Sequence, residues 1–440
     1  MSCFRNVLLA AAIAAAGAQT AHAADGAAPT MLQTALVTQA SEELKGYYFH
    51  SGRPLWISDA GAISPAADKL VELMKTAEYD GLDPQALGVD QIEAAVQEAR
   101  ANPSQDALVR AELALTSGLT RYVEAMVRQP AGSAMLYEHD VLRPIEPTTD
   151  TVMIEASSAP SLEDYVGQMR WMHPLYAQIR QTLMAPQSVT ALQSAAVASL
   201  QRVRDLPAPR APRHVLIDIA SATLWMYEGD HVVDSMRVVV GKPDTPTPQM
   251  AGYIRYATLN PYWNVPPHLI RKTIAPNTKR QGVAYLRTRG YEVLSDWSDD
   301  PTVIDPTTID WDAVAAGTQE IRVRQKPNAI NSMGKVKYEF PNPQGIYLHD
   351  TPEKQLLREP ARQFSNGCIR LEDAARFGRW LFEGTMPLAS GPPEERVDIA
   401  EPVPIYVTYL TVKPEGGQIA LGTDPYGLDG TAPSGLARLH

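Results

Sequence analysis

Cysteine is scarce in this 440-residue chain: there are two, Cys3 and Cys368. Cys3 lies in an N-terminal segment that reads as a leader, so a processed chain keeps one thiol and forms no internal disulfide. One thiol also excludes a thiolate zinc cluster. Positive charge is in deficit, with a formal net charge of −11. That balance argues against nucleic acid as the main partner. Beyond the N-terminus no stretch is apolar for the ~20 residues that cross a bilayer. Histidine pairs at metal-ligand spacing are missing, and so is any internal repeat. "VVVGKP", Val238 to Pro243, has Gly-Lys without the other glycines of a phosphate loop, and reads as a strand and turn. No metal and no cofactor are expected.

What is present begins with the leader. "MSCFRN" carries one positive charge, Arg5, and "VLLAAAIAAAGA" is a short apolar run. "AHA", Ala21 to Ala23, puts small residues at a cleavage site. Residues 1–23 are expected to be a Sec-type signal peptide, placing the protein in the periplasm. Left uncleaved, the segment would act as a membrane anchor instead. A lone thiol in an exported protein meets oxidants, so it is either buried and inert or reactive.

The length suggests two or three domains. Residues 24–206 read as helical. In "RAELALTSGLTRYVEAMV" the residues Leu115, Leu119, Tyr122 and Met126 form one helical stripe, the mark of a core face. "YDGLDP", Tyr79 to Pro84, is a turn between helices, and "YEHDVLRPIEPTTD" reads as irregular loop. His173, beside Trp171 and before Pro174, reads as a packed or surface side chain rather than a ligand. "LPAPRAPR", Leu206 to Arg213, is a proline-rich boundary. Beyond it the period becomes two: "HVLIDI", then "TLWMY" and "SMRVVV" around the turn "EGD", and finally "PVPIYVTYLTV". There is no alternation of strand and helix. The fold class is α+β: a helical domain, a mostly-β domain over 207–413, and a tail over 414–440. The polar excursion over about 266–320 is expected to be an ordered lid.

A thiol needs a base and an oxyanion site to perform acyl transfer. Of nine histidines, His349 in "GIYLHDTP" is the best placed, at the end of the apolar run Ile346 to Leu348. A strand end there aims its imidazole into a cleft; a core or solvated histidine is the plain alternative. In "SNGCIR", Gly367 permits a tight turn, and the N–H groups of Gly367 and Cys368 are candidates to face an oxyanion. "LEDAARFGRWLFEG" reads as a helix capped by Asp373. Its dipole, with Arg370 nearby, is expected to favour a thiolate. Arg370 could instead fork onto a substrate carboxylate, or pair with Glu372 or Asp373.

"YLHDTP" followed by "SNGCIRLED" resembles the His and Ser-x-Gly-Cys signature of the L,D-transpeptidases, with their YkuD-type catalytic domain. "LIDIASATLWMYEGDHVVDSMRVVVGKPDTPTP" resembles the family's opening strands. "NPYWNVPPHLI", "RVRQKPNAINSMGKVKYEFPNP" and "DPYGLD" resemble the YcbB-like murein subgroup, as do "YYFHSGRPLWISDAG" and "YDGLDP" in the helical region. The resemblance covers most of the chain after the leader. It implies Cys368 as nucleophile, His349 as base, and the backbone carbonyl of Asp350 orienting that base. It implies Ser365, Asn366, Gly367 and Arg370 as motif positions near the substrate, with Tyr347 and Trp263 lining the cleft. Many members carry histidine where this chain has Asn366. Larger relatives also carry a peptidoglycan-binding module, for which there is no room between Arg180 and Leu206.

The implied activity is cross-linking of peptidoglycan stem peptides through a cysteine thioester, giving a 3–3 or a 1–3 linkage in cell-wall biogenesis. Stem peptides are the implied donor and acceptor, and carbapenem-type β-lactams the implied inhibitors. An L,D-carboxypeptidase or cross-link hydrolase would use the same nucleophile with water as acceptor. A non-catalytic wall-binding protein on the same fold is the third reading, against which the intact pair His349 and Cys368 counts. The oligomeric state is not legible.

Overall fold

The computed structural model describes residues 30–51, 53–129, 132–184, 190–298, 300–387, 391–415 and 418–431. Residues 1–23, expected to be a signal peptide and including Cys3, and the tail residues 432–440 lie outside these. Among the described residues no helix is long and apolar enough to cross a membrane.

The N-terminal region is a helical scaffold. The longest helix among its described residues, Gln105–Val127, starts where the Ser104 hydroxyl accepts from the Ala107 N–H at 3.3 Å. The stripe Leu115, Leu119, Tyr122 and Met126 is fully buried against Trp56, Leu70, Met74, Ile92 and Tyr176. Asp80 is buried at the turn before Gly81, where it accepts from Tyr176 at 3.0 Å and from the Arg180 guanidinium at 2.9 Å. The buried charge is thereby paired and hydrogen-bonded. The segment after Gly132 is not all irregular. Leu136–Tyr137 forms a short strand, β1.

The second region is one mixed sheet. Its strands are β2 (Arg213–Asp218), β3 (Thr223–Glu228), β4 (His231–Gly241) and β5 (Met250–Leu259). An insert follows with β6 (Trp263–Asn264), β7 (Tyr291–Leu294), β8 (Val303–Ile304) and β9 (Arg322–Gln325). The main sheet resumes with β10 (Val336–Glu339), β11 (Leu348–His349), β12 (Gln363–Ser365), β13 (Ile369–Leu371) and β14 (Glu395–Thr408). A hairpin, β15 (Val412–Glu415) and β16 (Gln418–Leu421), follows. The main order is β1-β5-β10-β11-β13-β4-β3-β2-β14, and β14 also pairs with β5, so the sheet closes on itself. Inward-facing residues such as Val215, Ile217, Leu224, Val238, Ile254, Tyr338, Leu348, Ile369 and Ile405 fill it. The helix Ala374–Leu381 adds Phe377 and Leu381, with Asp373 accepting from the Arg376 N–H at 2.9 Å as its cap.

The insert has its own four-stranded sheet, β6-β9-β7-β8, and a small core of Val265, Ile270, Ile274, Leu286, Val293, Val314 and Val323. The scaffold and the closed sheet are not separate bodies of apolar packing. Leu216, Tyr227, Ala251, Tyr406 and Leu410 belong to the scaffold's core cluster.

Candidate active site

Register decides which side chains meet. In the parallel pair β11–β13, His349 lies opposite Arg370, and in the antiparallel pair β10–β11 it lies opposite Lys337. Directly paired residues point to one face, and so do residues two apart along a strand. Tyr347 and His349 on one side, Cys368 and Arg370 on the other, therefore emerge together, while Leu348 and Ile369 turn into the core. Lys337 stands over the Tyr347 ring at 4.6 Å and pairs with Glu339. The Tyr347 and His349 rings lie 5.8 Å apart.

His349 is buried, and its Nδ1 lies 2.5 Å from the carbonyl oxygen of Asp350. With that carbonyl as acceptor, Nδ1 carries the proton and Nε2 is left as the basic nitrogen. Burial first, and the Arg370 cation second, push the imidazole down to about 3. His349 is thus neutral across the ordinary range.

Cys368 is half-buried, with Sγ 3.7 Å from the Gly345 carbonyl. Burial pushes its thiol up; the N–H and hydroxyl of Tyr347 and the Lys337 charge only partly oppose this. This corrects the expectation that a helix dipole and Arg370 favour a resting thiolate. The helix begins at Ala374, beyond β13, and the Arg370 guanidinium pairs with Glu353, not with Glu372 or Asp373. Glu372 binds Arg237 instead.

The turn into Cys368 is built by Ser365. Its buried hydroxyl donates to the Cys368 carbonyl at 2.6 Å and accepts from the Gly367 N–H at 3.1 Å. The Gly367 N–H is therefore occupied, and of the two amides expected to face an oxyanion only that of Cys368 remains a candidate. Gly367 has φ +118°, and a Cβ there would lie 3.2 Å from the Ile346 side chain. Asn366 is exposed at the tip of this turn.

Residues 212–405 match the family model of the L,D-transpeptidase catalytic domain, and residues 42–183 match a scaffold-domain model. Residues 212–405 form an L,D-transpeptidase catalytic domain. A candidate L,D-transpeptidase of Haemophilus influenzae is 28% identical over 321 residues, which cover 70% of this chain and 64% of that protein. The chain thus spans just under two thirds of that relative's length. Among solved structures, an L,D-transpeptidase from Mycobacterium smegmatis is 15% identical over 45% of this chain and 58% of its own, with a TM-score of 0.22. An L,D-transpeptidase in complex with imipenem is 14% identical over 44% and 58%, also at a TM-score of 0.22.

Within this transpeptidase domain, the sheet face brings together Cys368, His349, Tyr347 and Arg370, with Asp350 behind His349 and Ser365 and Gly367 in the turn. Trp263 is not part of that group; it pairs with Gln325 in the insert's sheet and its ring packs near Tyr291, 6.4 Å away. Sequence reading missed Lys337 and Glu353. Lys337 was readable as an outward residue of the alternating "KVKYEF", but only the register sets it beside His349. The pairing of Glu353 with Arg370 left no local signal.

Proposed function

We propose that this protein is an exported, cysteine-dependent transpeptidase that cross-links peptidoglycan stem peptides. The observation that carries this reading is the emergence of Cys368 and His349 on one face of paired strands in an L,D-transpeptidase catalytic domain. The Cys368 thiol attacks the carbonyl at the L-centre of a donor residue, and its proton passes to Nε2 of His349. Charge develops on the carbonyl oxygen, opposite the Cys368 N–H. The tetrahedral species collapses to a thioester. The D-amino acid leaves as an amine, protonated by His349. An acceptor stem's amine then attacks the thioester, returns its proton through His349, and frees the thiol.

Donor diaminopimelate gives a 3–3 link, and a first-position alanine gives a 1–3 link. Water competes for the thioester, and the insert between β5 and β10 is proposed to act as a lid that limits it. Export to the periplasm is proposed from the leader. Carbapenem-type β-lactams are proposed inhibitors, because their strained carbonyl can acylate Cys368. Cys368→Ala is expected to abolish dimer formation from purified muropeptides, read by mass spectrometry. Unchanged dimers would overturn the mechanism, and trimmed monomers made by the wild type alone would point to the hydrolytic reading.

A further inference from the structure

The proposed chemistry needs the Cys368 N–H to face the substrate carbonyl. A trans peptide is planar, so the Gly367 carbonyl and the Cys368 N–H point in opposite directions. Whatever fixes the carbonyl aims the amide. Here it is Thr247, a buried residue whose hydroxyl donates to the Gly367 carbonyl at 2.6 Å. That hydroxyl in turn accepts from the Gly241 N–H at 2.9 Å. A Cβ at Gly241 would stand 2.3 Å from the Thr245 carbonyl oxygen and 2.6 Å from the Thr247 nitrogen, so the loop folds back only on glycine. The same loop holds the Ser365 carbonyl through the Lys242 N–H at 3.1 Å and the Thr245 hydroxyl at 3.4 Å.

The outer side of this loop is gripped from the far end of the chain. The Tyr426 hydroxyl donates to the Gly241 carbonyl and accepts from the Thr247 N–H at 3.2 Å. Tyr426 stacks on Tyr409 with centroids 5.4 Å apart, and its N–H donates to the Tyr409 hydroxyl at 2.8 Å. The Tyr409 hydroxyl donates to Asp424, which also accepts from the Leu428 N–H at 2.9 Å and the Asp429 N–H at 3.1 Å. Arg202, on the scaffold helix Thr190–Val203, donates to the Leu428 carbonyl at 2.9 Å and to Asp429 at 2.8 Å. The hydrogen bonds run unbroken from the scaffold to the peptide before Cys368.

We propose that Thr247 and Tyr426 are positioning residues that orient the Cys368 amide as the oxyanion donor, with residues 424–429 as the clasp that holds them. This rests on the reading of Cys368 as nucleophile. The test separates two reactions of one thiol. Acylation by imipenem opens the lactam and puts charge on its carbonyl oxygen. Alkylation by iodoacetamide forms an S–C bond, expels iodide and develops no oxyanion.

The full-length wild type is compared with Thr247→Val, Thr247→Ser and Tyr426→Phe. Acylation is followed by lactam absorbance and intact mass, alkylation by intact mass, and folding by melting temperature. Losing an oxyanion donor slows such reactions by about 10²–10³-fold, so a misaimed one is expected to cost about tenfold or more. Thr247→Val and Tyr426→Phe should slow acylation by at least that factor with alkylation within about twofold, and Thr247→Ser should restore acylation. Should Thr247→Val fail to fold, Tyr426→Phe, at a half-buried site, decides. Parallel loss of both reactions, or no loss in either, overturns the proposal. A wild type that takes up iodoacetamide on Cys368 but never the lactam overturns the nucleophile reading, and the proposal with it.

Discussion

Burial acts on Cys368 more strongly than any neighbouring charge, and it raises the thiol while lowering His349 to about 3. The resting pair is then neutral, and the proton crosses only as sulfur attacks. The rate of Cys368 alkylation by iodoacetamide should accordingly climb with pH through the whole neutral range. A plateau at or below pH 7 would indicate a preformed thiolate–imidazolium pair and contradict this. Both residues were legible in the sequence, because a solitary thiol and a histidine closing an apolar run are local signals. Thr247 and Tyr426 were not. "DPYGLD" stood out as a segment, but its contact with Gly241 spans 185 positions of chain and has no pattern within either stretch.

At the level of elements, the turn from Ser365 to Cys368 exists because Gly367 takes φ +118°. An L-residue there is strained, by about 1–3 kcal/mol, and its Cβ presses on Ile346. Gly367→Ala is expected to lower the turnover of cross-linking by about 10–100-fold while the sheet still folds. Steady-state rates beside a melting curve check this; wild-type turnover in the variant would mean the turn geometry is not needed. The hairpin β3–β4 was readable from its period of two, and so was the second half of β14 from Pro402 on, whereas its first half, from Glu395 to Glu401, was not. The two-residue strands β1 and β11 were too short to show any period. The parallel pairs β11–β13 and β12–β4, and the β14–β5 pairing that closes the sheet, join segments with no shared local signature, so none of them could be read. The helix of Leu115 and Met126 was readable because its stripe is long.

Across the whole molecule, the scaffold meets the transpeptidase domain at two buried histidines, His173 and His214, 5.7 Å apart. His173 Nδ1 accepts from the Leu175 N–H at 3.3 Å, and the Nε2 atoms of both rings have no hydrogen-bond partner among the described residues. Burial, and for His173 its neighbour too, lowers them to about 3 and about 4. Below about pH 6.5 the unfolded chain takes up protons that these rings refuse, so their share of stability falls between there and about 4. Glu112 and Asp218, raised by burial to about 7 and about 6, work in the opposite sense, because the folded state holds their protons. The histidine share is isolated by His214→Phe, which keeps the stack on Tyr227. Between pH 7 and about pH 4.5 its melting temperature should drop several degrees less than that of the wild type, by calorimetry; an equal drop would exclude His214 as a source of acid lability. At the same junction β1, a scaffold strand of two residues, lies along Met250 and Ala251 of β5, beside the stretch that β10 is too short to reach. An open strand edge recruits other chains. A transpeptidase domain cut free of the scaffold would carry the bare rim of β5 at Met250 and Ala251, and the uncovered rings of Tyr227 and Tyr406, into every encounter with its own copies.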